Sequence, residues 1–227
     1  MRNISFERQY IIHPAGSCLV SFGNTKVICT VSIENSVPPF KRDSGEGWLT
    51  AEYAMLPGST GSRKRRELLK RDGRSTEIQR LIGRSLRAAV FLERLGEVTL
   101  TVDCDVLQAD GGTRTASITG AWIALYDALT VLAEKQEKSG AEYYLKGQLA
   151  AVSVGIVNGE IICDLDYAHD SKAEVDMNVV RLDDQLVEVQ GTGEGGTFTR
   201  SELNRLLDAA DKGIEEIFVA QRSILKL

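Results

Sequence analysis

A strand, two glycines and the start of a helix follow one another between positions 103 and 117, and this junction constrains the fold more than any other stretch. Glycines at such a turn let backbone N–H groups approach an anion closely, and the helix N-terminus adds a partial positive charge. Arg114, which follows Gly111-Gly112-Thr113, adds a planar set of donors suited to phosphate. The junction therefore predicts a site for a small anion. An ordinary turn without a ligand is the alternative, because strand-glycine-helix turns are common.

No nucleotide fingerprint overlaps this junction. The Gly-Lys-Ser/Thr ending of a P-loop is absent, and the glycine spacing differs from that of a dinucleotide-binding turn. We therefore expect a free anion at the junction rather than a nucleotide cofactor.

The composition is typical of a globular chain without targeting signals. The 227 residues suffice for a substantial core, and we expect one domain over 1–227 because no linker divides the sequence. The N-terminus is charged, so no signal peptide is predicted, and no run approaches the roughly 18 apolar residues of a membrane span. The four cysteines are scattered without a Cys-x-x-Cys pair. That pattern favours buried free thiols over metal ligands and predicts a cytoplasmic setting.

Charge is distributed unevenly, although the net charge is only −5. Such polarity suits a protein that holds a polyanion on one surface and a cation elsewhere, and a solvated charged loop is the alternative. The basic side chains that crowd one stretch and the helix after it are Arg63, Lys64, Arg65, Arg66, Lys70, Arg71, Arg74, Arg80, Arg84 and Arg87. The acidic side chains that gather elsewhere are Asp164, Asp166, Asp170, Glu174 and Asp176.

Runs of apolar and β-branched residues predict strands in blocks that long helices separate. A hairpin turn is expected at 23–25, and Asn158-Gly159 predicts a second, two-residue turn. The predicted strands cover 17–22, 26–34, 48–56, 98–107, 148–158, 160–165, 177–182 and 185–190.

The first predicted helix lies just after the basic stretch. Its apolar stripe covers 78–90, and Ser75 or Thr76 is expected to cap it. The residues before it, 59–75, are too basic and too rich in glycine to be buried, so they predict an exposed loop.

Two more long helices and one short helix complete the prediction. One covers 118–132 and begins just after Arg114, and the last follows a capping box at 199–202. A weak pattern predicts a short helix over 170–175. Blocks of strands broken by long helices indicate a layered α+β protein.

Five motifs closely resemble those of the ribonuclease PH family. The resemblance runs from about Phe6 to the final helix. It implies the layered β-α-β fold of that family, related to domain 2 of ribosomal protein S5, with mixed sheets packed on long helices. The motifs are WLTAEYAMLP at 48–57, GRSTEIQRLIGR at 73–84, CDVLQADGGTRT at 104–115, AAVSVG at 150–155 and DMNVV at 176–180.

The resemblance also implies an activity. Members of the family are phosphate-dependent 3′→5′ exoribonucleases that trim the 3′ ends of tRNA precursors, release nucleoside 5′-diphosphates and work reversibly as tRNA nucleotidyltransferases. They form a homo-hexamer, a trimer of dimers, in which the loop of one subunit serves the site of its neighbour. The alternatives are a catalytically inactive RNA-binding ring subunit and a nucleotide- or phosphate-binding metabolic enzyme.

Carried over residue by residue, the resemblance implies three groups of functional residues. Phosphate is expected on Arg74, Gly112, Thr113 and Arg114. Asp170 and Asp176 are expected to be the catalytic pair that holds Mg²⁺ or Mn²⁺ and assists proton transfer. RNA is expected on Arg63, Lys64, Arg65, Arg66, Lys70, Arg71, Arg80 and Arg84.

The spacing of the two aspartates leaves their convergence open. On one continuous helix, side chains six positions apart point about 240° from each other, so a turn must separate Asp170 from Asp176. Asp170 as a helix cap is the alternative. Asp164 and Asp166 are expected on a strand, at the periphery of the site. Glu174 is a further candidate ligand. His169, which directly precedes Asp170, is expected to be a solvated surface residue.

Overall fold

Two β-sheets enclose a layer of helices in the computed structural model, which describes residues 1–66 and 72–227. The first sheet has the strand order β1-β2-β3-β5-β4, with β4 parallel to β5 and the other neighbours antiparallel. Its strands are β1 Ile4–Arg8, β2 Gly16–Phe22, β3 Thr25–Glu34, β4 Trp48–Met55 and β5 Thr99–Gln108.

The second sheet is antiparallel, with the order β7-β6-β8-β9. Its strands are β6 Leu149–Val157, β7 Glu160–Cys163, β8 Val175–Leu182 and β9 Gln185–Thr192. The helices are α1 Gly73–Ala88, α2 Thr113–Lys135, the single turn α3 Tyr167–Asp170 and α4 Arg200–Leu225. Short 3₁₀ turns lie at Pro39–Lys41, Leu92–Arg94 and Ala141–Tyr143.

Each long helix contacts strands of both sheets. Helix α1 packs on β4 and β9, α2 on β2, β3 and β6, and α4 on β1 and β6. The apolar faces of both sheets and of all three helices therefore form one continuous core, with Trp122 of α2 among its largest fully buried side chains. Helix α2 is long and apolar enough to cross a membrane, but 83% of its most apolar window is buried inside the protein. It is a core helix.

The sequence predicted this architecture well. The layered α+β arrangement is confirmed, and every predicted strand is present with its ends displaced by at most two residues. The turn at Asn158-Gly159 connects β6 and β7, with φ values of 52° and 77° that match a type I′ hairpin. Strand β1 was missed, because Ile4–Arg8 is short and carries charged residues at its end.

Three helix predictions were wrong at their ends, and one of them is α2, which spans Thr113–Lys135 and extends beyond both ends of the expected 118–132. Helix α1 begins at Gly73, because the Asp72 side chain accepts a hydrogen bond from the Ser75 N–H at 2.6 Å and thereby caps the helix. The last residues of the expected loop are therefore helical. The short helix expected over 170–175 lies earlier, at Tyr167–Asp170, so Asp170 ends this turn and does not cap it.

Candidate active site

The predicted anion site is the loop that leads from β5 into α2, and we call residues 110–114 the anion turn. Gly111 and Gly112 both have positive φ, at 73° and 63°. A Cβ on Gly111 would lie 2.4 Å from the carbonyl oxygen of Leu165, so only glycine fits. Gly112 is the N-cap of α2, and no described side chain caps the helix. The turn thus presents backbone donors and the positive end of a 23-residue helix.

The anion turn is anchored by Thr25 at the start of β3 and by Arg2, which precedes β1. The Thr25 hydroxyl donates to the Gly111 carbonyl at 2.6 Å and accepts from the Asp110 N–H at 3.0 Å. Arg2 donates through Nη1 to the Asp110 carbonyl at 2.5 Å, and its Nε and Nη2 bind the buried carboxylate of Asp164 at 3.0 and 2.6 Å. These bonds fix the turn before any ligand binds.

The expectation for Asp164 and Asp166 needs correction. Strand β7 ends at Cys163, so neither aspartate lies on a strand. Asp164 has a positive φ of 65° and holds Arg2 beneath the anion turn. The Asp166 side chain caps α3 by accepting from the His169 N–H at 2.9 Å, and its Oδ1 lies 2.7 Å from the His169 ring Nδ1. His169 itself is exposed, as expected for a surface histidine.

A buried tyrosine supports the helix start and was missed by sequence reasoning. The hydroxyl oxygens of Tyr53 on β4 and Thr113 on α2 lie 2.9 Å apart in a buried hydrogen bond. Burial raises the pKa of Tyr53, which keeps its phenol protonated. The signal in the sequence was a tyrosine on the buried face of strand β4, and a partner for its hydroxyl is visible only in the folded chain.

The two arginines expected to bind phosphate belong to the first turns of two helices. Arg74 is exposed at the start of α1, and Arg114 is at the start of α2. Arg114 donates from Nη1 to Gln190 at 2.9 Å and to Glu77 at 3.3 Å. Both arginines lie near the same three groups. The charge of each one partly offsets the rise in the pKa values of Tyr53, Asp170 and Asp176.

The structure brings Asp170 and Asp176 together, one at the end of α3 and one near the start of β8. Burial raises the pKa of Asp176 to about 6, the charge of Asp170 adds to the rise, and Arg114 opposes it. Burial also raises the pKa of Asp170, with Arg74 acting against it. The two aspartates do not share one helix, because α3 ends at Asp170 and β8 begins at Val175. The turn that helix geometry requires between them is therefore present.

A divalent cation would fit this pair of carboxylates. Within the part of the chain that the structure describes, no group of three His, Cys, Asp or Glu side chains forms a protein-only metal cage. Mg²⁺ commonly uses one or two carboxylates and completes its shell with water and substrate phosphate, and two half-buried carboxylates that repel each other suit that mode. Glu194 adds negative charge near both aspartates, and sequence reasoning missed it. Glu174 is tied through its backbone to Ile156 and Gly195.

The basic segment, residues 63–66, lies at the surface. Arg63, Arg65 and Arg66 are exposed. Lys64 is half-buried, with Nζ 3.5 Å from the Met55 sulfur. Two further residues that the sequence assigned to RNA, Lys70 and Arg71, lie outside the described residues.

The remaining predicted RNA contacts, Arg80 and Arg84, are exposed on α1. They line a cavity of about 380 Å³ between α1 and β9, and Arg84 pairs with Glu188 of β9 at 2.6 Å. Glu77 and Gln190, which bind Arg114, line the same cavity. The cavity therefore adjoins the anion turn.

Comparisons with known proteins agree in family and fold. Two family models match, described as the 3′ exoribonuclease family, domain 1, over residues 1–130 and domain 2 over residues 147–213. A protein named ribonuclease PH from Corynebacterium diphtheriae is 58% identical over 228 residues, covering 100% of this chain and 94% of the relative. A protein of the same name from Corynebacterium glutamicum is 58% identical, covering 99% of this chain and 92% of the relative.

Two solved structures share the fold at low sequence identity. Rice Rrp46 superposes with a TM-score of 0.80 at 17% identity, covering 100% of this chain and 96% of that one. A chain of the Archaeoglobus fulgidus exosome with RNA bound to the active site gives a TM-score of 0.78 at 22% identity, covering 99% and 88%.

Proposed function

Because the chain belongs to the ribonuclease PH family of 3′ exoribonucleases, we propose that it shortens tRNA precursors from their 3′ ends with inorganic phosphate as co-substrate. It is a phosphorolytic exoribonuclease and tRNA nucleotidyltransferase with the layered fold of that family. One observation carries the assignment of the site. Arg114, at the start of α2, lies close enough to the Asp170 and Asp176 carboxyls of the other half of the chain for its charge to oppose the rise of both pKa values.

The first task of the site is to bring two anions together. The attacking phosphate binds at Gly112, Thr113 and Arg114, with Arg74 on its other side, and these donors offset its repulsion from the RNA phosphodiester. A phosphate oxygen attacks the terminal phosphorus, the P–O3′ bond breaks, and the 3′ oxygen left on the RNA takes a proton. The released nucleoside diphosphate keeps the attacking phosphate as its β-phosphate. Since the product retains an anhydride bond, the step runs in both directions.

The carboxylates act on the other side of the reacting phosphorus. Asp170 and Asp176 would hold Mg²⁺ or Mn²⁺, which neutralises charge that develops on the phosphoryl oxygens. Burial raises the pKa of both carboxyls, that of Asp176 to about 6, so the pair is suited to pass a proton to the departing 3′ oxygen.

The RNA strand reaches this site across the basic surface. Backbone phosphates are attracted without regard to sequence, which suits an enzyme that removes successive nucleotides. The cavity beside the anion turn supports this path, because two exposed arginines of α1 line it. The proposed contacts are Arg63, Lys64, Arg65, Arg66, Lys70, Arg71, Arg80 and Arg84.

The proposal extends to organisation and location. The chain folds as one domain over 1–227, which the single core shared by both sheets supports. The family supports a homo-hexamer built as a trimer of dimers. A cytoplasmic location is supported by four free cysteines and by the burial of α2 in the core.

An inactive RNA-binding subunit is the less favoured function. A subunit without chemistry needs neither an anchored anion turn nor a pair of half-buried carboxylates beside it. The residues retained together are Arg74, Thr113, Arg114, Asp170 and Asp176.

The proposal is tested with a tRNA that carries a 3′ extension, incubated with Mg²⁺ in the presence and absence of inorganic phosphate. We expect nucleoside 5′-diphosphates to appear only with phosphate, and the Asp176→Asn variant to release them at least about a hundredfold more slowly. Nucleoside monophosphates, or no products at any phosphate concentration, would overturn the proposed reaction.

A further inference from the structure

A closed ring of hydrogen bonds joins Arg114 to the side chains of Gln190 and Glu77, which have no role in the function proposed above. Arg114 Nη1 donates to Gln190 Oε1 at 2.9 Å and to Glu77 Oε1 at 3.3 Å. The Gln190 Nε2 donates to the same Glu77 oxygen at 3.0 Å. Helix α1, helix α2 and strand β9 each contribute one member, so the ring connects the helical layer to the edge of the second sheet.

The ring uses only one nitrogen of the Arg114 guanidinium. Within the described residues, the recorded bonds of Arg114 involve Nη1, and none involves the Nε–Nη2 edge. That edge is the one with which Arg2, Arg8 and Arg84 bind carboxylates in this protein. The edge that makes bidentate bonds to an oxyanion is therefore kept available on Arg114.

Gln190 is placed to aim this edge at the reaction site. On the paired strands β8 and β9, Asp176 lies opposite Thr192 and Asn178 lies opposite Gln190, so Asp176 and Gln190 share one face of the sheet. The sheet that carries the catalytic carboxylate thus also holds the guanidinium. Gln190 does so without a charge, whereas a second carboxylate would further reduce the attraction of Arg114 for phosphate.

We infer that Gln190 and Glu77 are positioning residues, which hold the Arg114 guanidinium by Nη1 so that its Nε–Nη2 edge faces the attacking phosphate. The inference rests on the proposed role of Arg114 in phosphate binding. Glu77 acts in it as a hydrogen-bond acceptor, and its negative charge is not required.

Steady-state kinetics on the whole protein test this inference. Gln190→Met keeps the length of the side chain and removes both hydrogen bonds. We expect the KM for phosphate to rise about five- to tenfold, and kcat at saturating phosphate to change less than about twofold. Gln190→Asn keeps the amide on a shorter side chain that does not extend to Arg114 and Glu77, so we expect the same rise in the KM for phosphate. Gln185→Met, at the exposed start of β9, is the matched control and should leave both constants unchanged.

Two substitutions at Glu77 distinguish the effect of its hydrogen bonds from that of its charge. Glu77→Ala should raise the KM for phosphate, whereas Glu77→Gln keeps an acceptor oxygen and should return it to within about twofold of the wild type. Equal losses in both variants would show that the charge matters, which would overturn the acceptor role.

A double-mutant cycle with Arg114→Ala decides whether Gln190 acts through the arginine. Phosphate affinity is measured by calorimetry where turnover is too slow. We expect Gln190→Met to add no loss in the Arg114→Ala background, and an undiminished loss there would overturn the inference. If Arg114→Ala alone leaves phosphate affinity unchanged, the proposed phosphate site itself fails. If only Gln190→Met has no effect, the inference alone fails.

Discussion

The anion turn and the basic segment both carry positive potential, but they are held in opposite ways. Residues 110–114 are fixed by two left-handed glycines and by bonds from Thr25 and Arg2. In residues 63–66 the arginine side chains are exposed. The turn therefore depends on geometry and the segment on charge. Substitutions that leave charge unchanged should damage the first and spare the second.

The largest expected effect lies at the carboxylate that faces the anion turn. Asp176→Asn keeps the shape of the side chain but removes its charge and its ability to exchange a proton. We expect turnover to fall about a hundredfold or more, while the affinity for RNA stays within about twofold because the basic segment is untouched. Rates of diphosphate release and filter binding of a 3′-extended tRNA measure the two quantities. Undiminished turnover would remove Asp176 from the catalytic pair.

Alanine substitutions at two glycines, one in the anion turn and one near the basic segment, compare how strongly the two regions depend on backbone geometry. Gly111→Ala places a Cβ 2.4 Å from the Leu165 carbonyl oxygen at a φ of 73°, and we expect a loss of at least about 2 kcal/mol in the free energy of unfolding. Gly61→Ala, two residues before the basic segment, meets no described atom within 4 Å and should change stability by less than about 0.5 kcal/mol. Chemical denaturation of both variants provides the measurement, and equal effects would contradict the comparison.

The raised pKa of Asp176 predicts how its substitution changes stability with pH. Because the folded pKa is about 6 and the ordinary value is 3.8, the charged carboxyl destabilises the folded state, fully above pH 6 and not at all below about pH 4. Without metal, Asp176→Asn should therefore raise the Tm by roughly 2–4 °C at pH 7.5 and leave it unchanged near pH 4. Asp184→Asn, at an exposed position between β8 and β9, is the control. A gain that persists at pH 4 would exclude this cause.

The smallest effect per substituted residue is expected in the basic segment, where it concerns the affinity for RNA and its dependence on salt. If Arg63, Arg65 and Arg66 each contact one phosphate of single-stranded RNA, replacing all three by alanine lowers the slope of log affinity against log salt by about 2. The KM for phosphate should not change, because the anion turn is intact. A salt titration of RNA binding gives the slope. An unchanged slope would place the RNA elsewhere.

The same comparison explains what the sequence revealed. The hairpins, the long helices and the two-glycine turn are local patterns of apolar spacing and turn chemistry, and they were predicted closely. The start of α1 was misplaced by at least three residues because Asp72, Ser75 and Thr76 are all good caps, and only the folded chain shows that Asp72 accepts the bond.

The supports of the site were not predictable, because they join distant positions. Arg2 binds Asp164 across 162 positions, and Gln190 meets Glu77 across 113. Single charged or amide residues carry no local pattern that indicates such a partner. The convergence of Asp170 and Asp176 also required the fold, since their spacing of six fits several backbone paths.

The origin of the β-phosphate tests the central claim most directly. Radiolabelled inorganic phosphate is supplied with a 3′-extended tRNA and Mg²⁺, and the released nucleotides are separated. If the anion turn holds the nucleophile, every released nucleoside diphosphate carries the label in its β-phosphate. Unlabelled nucleoside monophosphates as the product would show that water attacks, and would contradict the account.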